Sequence, residues 1–260
     1  MLLNVHYLVK YSLEITQDHI RKNHSNYLGG VEFITVPDNP FGKAGPGSVP
    51  MAYLLKERYG KKTVATINTR DRNKVGIISE ILAAIELELY GIFVVSGDKI
   101  KKGREVREID VFQLISLIKK YRYDYGSDIQ IGATINPSRE NELRIVRKKM
   151  ENGADFFITQ SIYNEDIILK NKWIRHLSVP VYAGFMPLLS KKIITFYSKS
   201  FSIDEGMVKK LMDSYNLIED NASLFIKIVK NTCDHVEGYH IMPLGNEKFL
   251  EKISRVIKIC

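Results

Sequence analysis

YGIFVVSGD, Tyr90 to Asp98, is the stretch on which the fold turns. Gly91 and the apolar run Ile92 to Val95 lead straight into Ser-Gly-Asp. Apolar residues without polar alternation, bounded by glycines and preceded by an amphipathic segment, have the pattern of a parallel strand covered on both faces. Ser96 and Gly97 are small enough to let the backbone turn sharply and approach something flat. Asp98 then falls at the carboxyl end of the strand, where α/β enzymes gather their chemistry. Taken alone, Gly97-Asp98 is an ordinary turn. Similar strand ends elsewhere in the chain favour a functional reading.

The alternation of short apolar strand and helical segment continues in both directions. Strands are expected at Leu8 to Ile15, Val31 to Val36, Lys62 to Ile67, Gln130 to Ile135, Asp155 to Thr159, Val179 to Gly184 and Gly238 to Met242, besides the opening stretch. Helical spacing covers Ser48 to Tyr59, Lys74 to Leu89 and Ile109 to Tyr123. It also covers a segment ending at Asn152, with Gly153 as its left-handed stop. Further helices are expected at Glu165 to Leu177, Ser190 to Ser198, Asp204 to Met212, Asp220 to Thr232 and Asn246 to Ile257. Thr16 to Leu28 reads as a polar connection. Pro37 to Pro50, with GKAGPG at Gly42 to Gly47, reads as a long loop or lid. Eight β-α units with no linker between them predict a single (β/α)8 TIM barrel over residues 1–260, with extra helices near the C-terminus. A doubly wound open sheet is the runner-up.

Composition narrows the function classes. No apolar run approaches the roughly 20 residues that cross a bilayer, and the early Lys10 argues against a secretory signal. Cys233 and Cys260, the only cysteines, make neither a disulfide framework nor a thiolate metal cluster, which fits a reducing cytoplasm. With few histidines as well, no metal site is expected. The net charge of +8 suits an anionic small molecule as well as nucleic acid. The lysines are spread over helix faces with no nucleic-acid module, so solvated surface is the expected role of most of them.

In a barrel, the carboxyl ends of the strands converge on one mouth. Read off in order, they carry Glu14, Asp38-Asn39, Asn68 with Arg70, Asp98, Asn136, Gln160, Gly184 and His240. Among them are one isolated carboxylate on the first strand, Glu14, one at the Gly-Asp turn, Asp98, and a ring of amides. Amides both donate and accept, so they suit the edges of heteroaromatic rings. A lone inward carboxylate such as Glu14 is costly unless it has a task. On sequence alone, Tyr197 reads as core packing, Lys149 as a solvated helix lysine, and His240 as packed.

Several separated segments, in the same order, resemble the methylenetetrahydrofolate reductase family. They are YSLEI with Glu14, TINTRDRN after the third strand, GIFVVSGD, GADFFITQ, PVYAGFMPLLS and GYHIMPLG. Coverage is nearly the whole chain, and GADFFITQ followed by AGFMP is the most specific part. The DNP and RDRN segments resemble the short archaeal and bacterial form, the catalytic barrel without a regulatory domain. The resemblance implies a cytoplasmic flavoprotein of one-carbon and methionine metabolism. It would pass a hydride from NADH or NADPH through FAD to a 5,10-methylene-tetrahydropterin, folate or an archaeal analogue, giving the 5-methyl form. It implies Glu14, Asp98 and Gln160 as catalytic residues, with Glu14 the general acid. It implies cofactor contacts at Asn68, Ser96, Gly97, Asp98, Ala133 and Lys149, and substrate contacts at Gln160, Phe196 and Tyr197. It also implies a homo-oligomer, or a complex with an electron-donor subunit, without nucleic acid or membrane.

The chain departs from the family's pattern in three places. Thr16-Gln17 replaces paired prolines, Thr66 stands where histidine is frequent, and Ser96 where arginine is frequent. The last two fall on expected flavin contacts, which leaves FMN, or no tightly bound flavin, as alternatives to FAD. Three other function classes bear weighing. A barrel lyase with a Schiff-base lysine needs a lysine at a mouth-facing strand end, and none is evident. A non-catalytic pterin-binding protein, or a donor-dependent subunit of a larger reductase complex, would use the same ring of polar groups.

Overall fold

The computed structural model describes residues 9–198 and 203–254. Eight strands form one closed sheet in sequence order, every neighbour parallel: β1 Lys10–Glu14, β2 Val31–Val36, β3 Thr63–Asn68, β4 Gly91–Val95, β5 Gln130–Ile135, β6 Phe156–Ser161, β7 Val181–Phe185 and β8 Gly238–Ile241. The β1–β8 ladder, Lys10↔Gly238 to Leu13↔Ile241, completes the closure. The described residues thus form the expected barrel, and an open sheet is excluded. The expected ends at Leu8 and Ile257 lie outside the described residues.

The helices are α1 Ser48–Tyr59, α2 Lys74–Glu86, α3 Val111–Asp124, α4 Glu142–Asn152, α5 Asp166–Leu169, α6 Lys191–Ser198, α7 Glu205–Met212, α8 Leu217–Thr232 and α9 Glu247–Ser254. Local chemistry sets their ends. Asn73 caps α2 by accepting from the Gly76 N–H, and Asp110 and Gln113 form a reciprocal capping box on α3. Gly60 and Gly153 stop α1 and α4 at positive φ, where a Cβ would be strained. Three helices, α6 to α8, stand between β7 and β8 and supply the expected surplus near the C-terminus.

Two expectations are corrected. The helix foreseen over Glu165 to Leu177 breaks into the single-turn α5 and a 3-10 turn, Ile174–His176. Asn171 is the cause: its amide donates to the Ile167 and Pro137 carbonyls while its oxygen accepts from the Trp173 indole N–H. That local bonding competes with helix continuation. The connection from Thr16 to Leu28 is also more structured than a polar coil, with 3-10 turns at Gln17–His19 and Ser25–Tyr27.

Side-chain alternation divides the buried residues into two cores. Outward-facing Leu13, Ile34, Ile67, Ile92, Val94, Ile131 and Ala183 join the helix layer. Inward-facing Phe33, Val64, Phe93, Phe156, Ile158 and Tyr182 plug the amino-terminal half of the barrel. Phe33 meets Tyr182 edge-on at 5.1 Å and Phe156 at a tilt at 5.5 Å, and Phe93 stacks on Phe156 at 6.2 Å. Gly132 makes room for them, since a Cβ there would come within 2.3 Å of the Phe156 ring. The plug fills the amino-terminal half of the barrel interior, so polar side chains facing inward gather toward its carboxyl end. Phe156→Ala should lower the unfolding free energy by about 3–5 kcal/mol in urea titration, because the cavity cannot collapse between rigid strands. A loss below about 1 kcal/mol would mean that the rings are not the barrel's packing centre.

Candidate active site

Above the aromatic plug lies a polar layer. His240, fully buried on β8, shares a hydrogen bond between Nδ1 and the Ser12 hydroxyl at 2.8 Å and faces the Thr35 hydroxyl at 3.4 Å through Nε2. Burial lowers its pKa to about 3, so the ring is neutral, and it packs as expected rather than facing the mouth. Glu14 follows Ser12 by two residues and therefore points the same way, one layer higher; its Cα partner on β2 is Thr35. Its carboxyl is raised to about 7, first by burial and second by the negative charge of Asp98.

Asp98 sits just past β4 on a turn that requires glycine. Gly97 has φ +82°, and a Cβ there would press on the Asn68 side chain at 2.9 Å. One Asp98 oxygen accepts the Phe41 N–H at 2.7 Å. Phe41 itself holds φ +61°, an unusual conformation for a large side chain, and its ring lies 6.5 Å from that of Tyr197. Tyr197 on α6 is half-buried with Phe196 edge-on at 4.8 Å, and Phe196 is 65% exposed. The Tyr197 hydroxyl is pushed up to about 12, by burial and then by Asp98 and Glu14. The Asp98 charge therefore reaches both Glu14 and Tyr197.

The remaining expected residues divide. Gln160 lies within β6 rather than after it, at an exposed position in step with inward Phe156 and Ile158. A bulge between Ile158 and Ser161 in the β6–β7 pairing sits beside it, and the Thr159 hydroxyl accepts the Gly184 N–H there at 2.8 Å. Ser96 is exposed at the end of β4. Ala133 shares the outward face of β5 with Ile131 and Ile135, so its side chain packs against the helices and only its backbone borders the barrel interior. Lys149 is not the solvated lysine its sequence suggests. It is buried on the inner side of α4 with its ammonium on the Thr134 carbonyl, just past the last β4–β5 pair, Val94↔Ala133. Burial brings its pKa down to about 8, opposed by the nearby Glu142 carboxylate.

Asn68 proves to be scaffold. Its amide donates to Asp38 at 2.7 Å and Asp71 at 2.8 Å, and its oxygen accepts the Arg70 and Asp71 N–H groups. All four bonding positions are thereby taken. Asp38, its side chain fully buried, also receives a two-pronged bond from Arg72 at 2.5 and 2.8 Å. This Asp38–Arg72–Asn68 cluster, which ties the ends of β2 and β3 together and supports the Gly97 turn, was not foreseen. The signal was present: an acid ending the second strand and an arginine shortly after the third, on neighbouring strands. Nothing in the sequence marked Phe41.

A closed barrel with a carboxyl pair and an aromatic wall at its carboxyl mouth has the architecture of barrel enzymes. A family model described as "Methylenetetrahydrofolate reductase" matches residues 17–258. The chain belongs to that family. Glu14 lies just ahead of the matched residues. Among curated relatives, the "Probable methylenetetrahydrofolate reductase (NADPH)" of Caenorhabditis elegans is 22% identical over 222 residues, 81% of this chain and 30% of that protein. The chain thus spans less than a third of that relative's length. Solved structures with the same fold include 3-hexulose-6-phosphate synthase from Salmonella typhimurium, at TM-score 0.52 and 14% identity over 95% of this chain and 98% of that one. Another is 2,3-dimethylmalate lyase, at TM-score 0.51 and 12% identity over 80% and 83%. At such identities they show the fold alone.

Two predictions follow from the site's charges. Glu14 binds its proton more tightly when folded, so it favours the folded state at low pH and loses that contribution as pH rises from about 4.5 to about 7. Urea midpoints should therefore decline between about pH 5 and about pH 8, and Glu14→Gln should flatten that decline. An identical pH dependence in the variant would show that the carboxyl titrates normally. Asp38→Asn should lower stability by about 3 kcal/mol, because the Arg72 guanidinium loses its buried counter-charge.

Proposed function

We propose that the chain is a cytoplasmic C1 reductase that converts a 5,10-methylene-tetrahydropterin, folate or an archaeal analogue, to the 5-methyl form. Family membership supports the reaction class, and one observation supports the mechanism. Glu14, at the barrel mouth, has a carboxyl whose pKa is raised to about 7. An acid poised near neutrality is what opening of the methylene bridge needs. Glu14 donates its proton to the bridging nitrogen; the carbon–nitrogen bond breaks, and the methylene carbon becomes an iminium ready for hydride. The carboxylate left behind regains a proton from solvent. Burial first, and the negative charge of Asp98 second, keep Glu14 poised as an acid, and Asp98 stabilises positive charge developing on the substrate. In this reading Gln160 bonds the ring edge, and the pterin stacks on the aromatic faces of Tyr197 and Phe196.

The groups at the mouth fit the ring of a flavin. Gln160, the Ser96 hydroxyl and the backbone of the Gly97 turn supply the mixture of donors and acceptors that an isoalloxazine edge requires. When bound, FAD or FMN supplies hydride exchange between NADH or NADPH and the substrate. The fit is poorer at the phosphate end, since Lys149 is engaged with the Thr134 carbonyl. The assembled form proposed is a homo-oligomer or a complex with an electron-donor subunit.

Purified protein supplied with FAD or FMN should bleach with reduced nicotinamide and reduce methylenetetrahydrofolate. Glu14→Gln should keep the bleaching and lose pterin reduction by about 10²–10⁴-fold. Native activity should decline as pH rises through about 7, where Glu14 gives up its proton. Absence of both bleaching and pterin reduction with either flavin would sink the proposal.

A further inference from the structure

Gln17 is one of the two residues that stand where the family's pattern has paired prolines. It lies three residues beyond Glu14, in the 3-10 turn that leaves β1. Its side-chain amide donates to two carbonyls, that of Pro37 at 2.9 Å and that of Pro46 at 2.6 Å. Those carbonyls belong to the two ends of the loop between β2 and α1, so one amide gathers the base of the whole loop. A proline side chain has no donor with which to do this.

The tip of the loop is anchored as well. The Asn39 side chain accepts the Gly45 N–H at 3.1 Å and donates to Asp71 at 2.7 Å. Gly42, at φ +66°, lies so close to the β4–α3 loop that a Cβ would come within 1.9 Å of the Lys99 carbonyl oxygen. Its own carbonyl accepts the Lys101 N–H at 3.0 Å. Between these anchors Asn39 and Phe41 hold left-handed φ values of 47° and 61°. The resulting turn aims the Phe41 N–H at one Asp98 oxygen, 2.7 Å away. An unfavoured backbone conformation persists only where its surroundings over-determine it.

Asp98 is an exposed carboxylate on a glycine turn, and a side chain so placed swings freely into water unless something holds it. The N–H bond fixes one oxygen and favours the ionised form. We propose that Gln17 and the main chain of Phe41 are positioning residues, the first clamping the loop and the second holding the Asp98 carboxylate at the barrel mouth. The consequence for catalysis rests on the reading of Glu14 as the acid that acts on a methylene-pterin; the positioning itself does not. Among the described residues, Asp98 is the charge that acts on Glu14. Tyr197 from α6 and His240 one layer below are both uncharged near pH 7. Releasing the loop therefore lets the Asp98 carboxylate turn outward and weakens the hold of Glu14 on its proton.

The test titrates the whole chain by NMR with its glutamate carboxyl carbons labelled, Glu14→Gln identifying the Glu14 signal. Gln17→Met keeps the side chain's length and removes its donors, and Gly42→Ala pushes the loop off the Lys99 carbonyl. Each should move the Glu14 midpoint down from about 7 by about half a pH unit. If Gly42→Ala fails to fold, Gln17→Met carries the same expectation alone. Phe41→Gly keeps the N–H in a conformation that glycine adopts freely, and should keep the native midpoint. A midpoint in Phe41→Gly that falls as far as in Gln17→Met would overturn the role of the N–H and assign the effect to the ring. A native midpoint in Gln17→Met would overturn the clamp, whether or not the chain reduces a methylene-pterin. A lowered midpoint in Gln17→Met, in a chain that never reduces a methylene-pterin, would support the positioning while removing the function proposed for Glu14.

Discussion

Parallel pairing of β1 with β8 converts a row of β-α units into a ring, and that closure governs what else the molecule can do. A closed sheet leaves no edge strand to pair with another chain. It also sends every strand's carboxyl end to the same rim, so residues as distant in sequence as Glu14, Asp98 and Gln160 are delivered to one place. Inside the ring, alternation leaves only every second residue facing inward. That restriction yields an aromatic layer around Phe33 and Phe156, a neutral polar layer around His240, and an ionisable layer at the top.

The order of those layers controls the charge state of the mouth. The aromatic plug fills the lower barrel, and burial keeps His240 uncharged. With that ring neutral, His240 does not draw the Glu14 carboxyl down. Asp98 acts from the side in the opposite sense, adding negative charge that favours the protonated acid. Lys149, the buried cation at the top of β5, is held on a carbonyl where the β4–β5 pairing ends. Fold and chemistry meet in this arrangement: the acid is tuned by where the barrel places its neighbours.

The loops add a second level of order. Asp38, Arg72 and Asn68 fix the ends of β2 and β3, and Asn68 in turn leaves room only for glycine at position 97. The Asp98 carboxylate is positioned by this scaffold and then bound by the Phe41 N–H. Side chains that contact no ligand can thus set the geometry of one that would. In the same way the Asn68 side chain makes its hydrogen bonds within the scaffold.

The sequence by itself determined the barrel, because apolar strands, helical spacing and caps are local properties that each segment carries alone. Val31–Val36, Ser48–Tyr59 and Gln130–Ile135 end where their residues say they should. The break at Asn171 escaped notice because one amide bonding three partners outweighs helical spacing. Only the tertiary structure decided which strand-end residues face inward and which are spent on the scaffold. Ala133 turns outward, Lys149 is buried, and Phe41 takes up a left-handed conformation, all through contacts with segments far away in the chain. Residue type and spacing report what a group is able to do; desolvation and neighbouring charge depend on the packed surroundings, which no single segment contains.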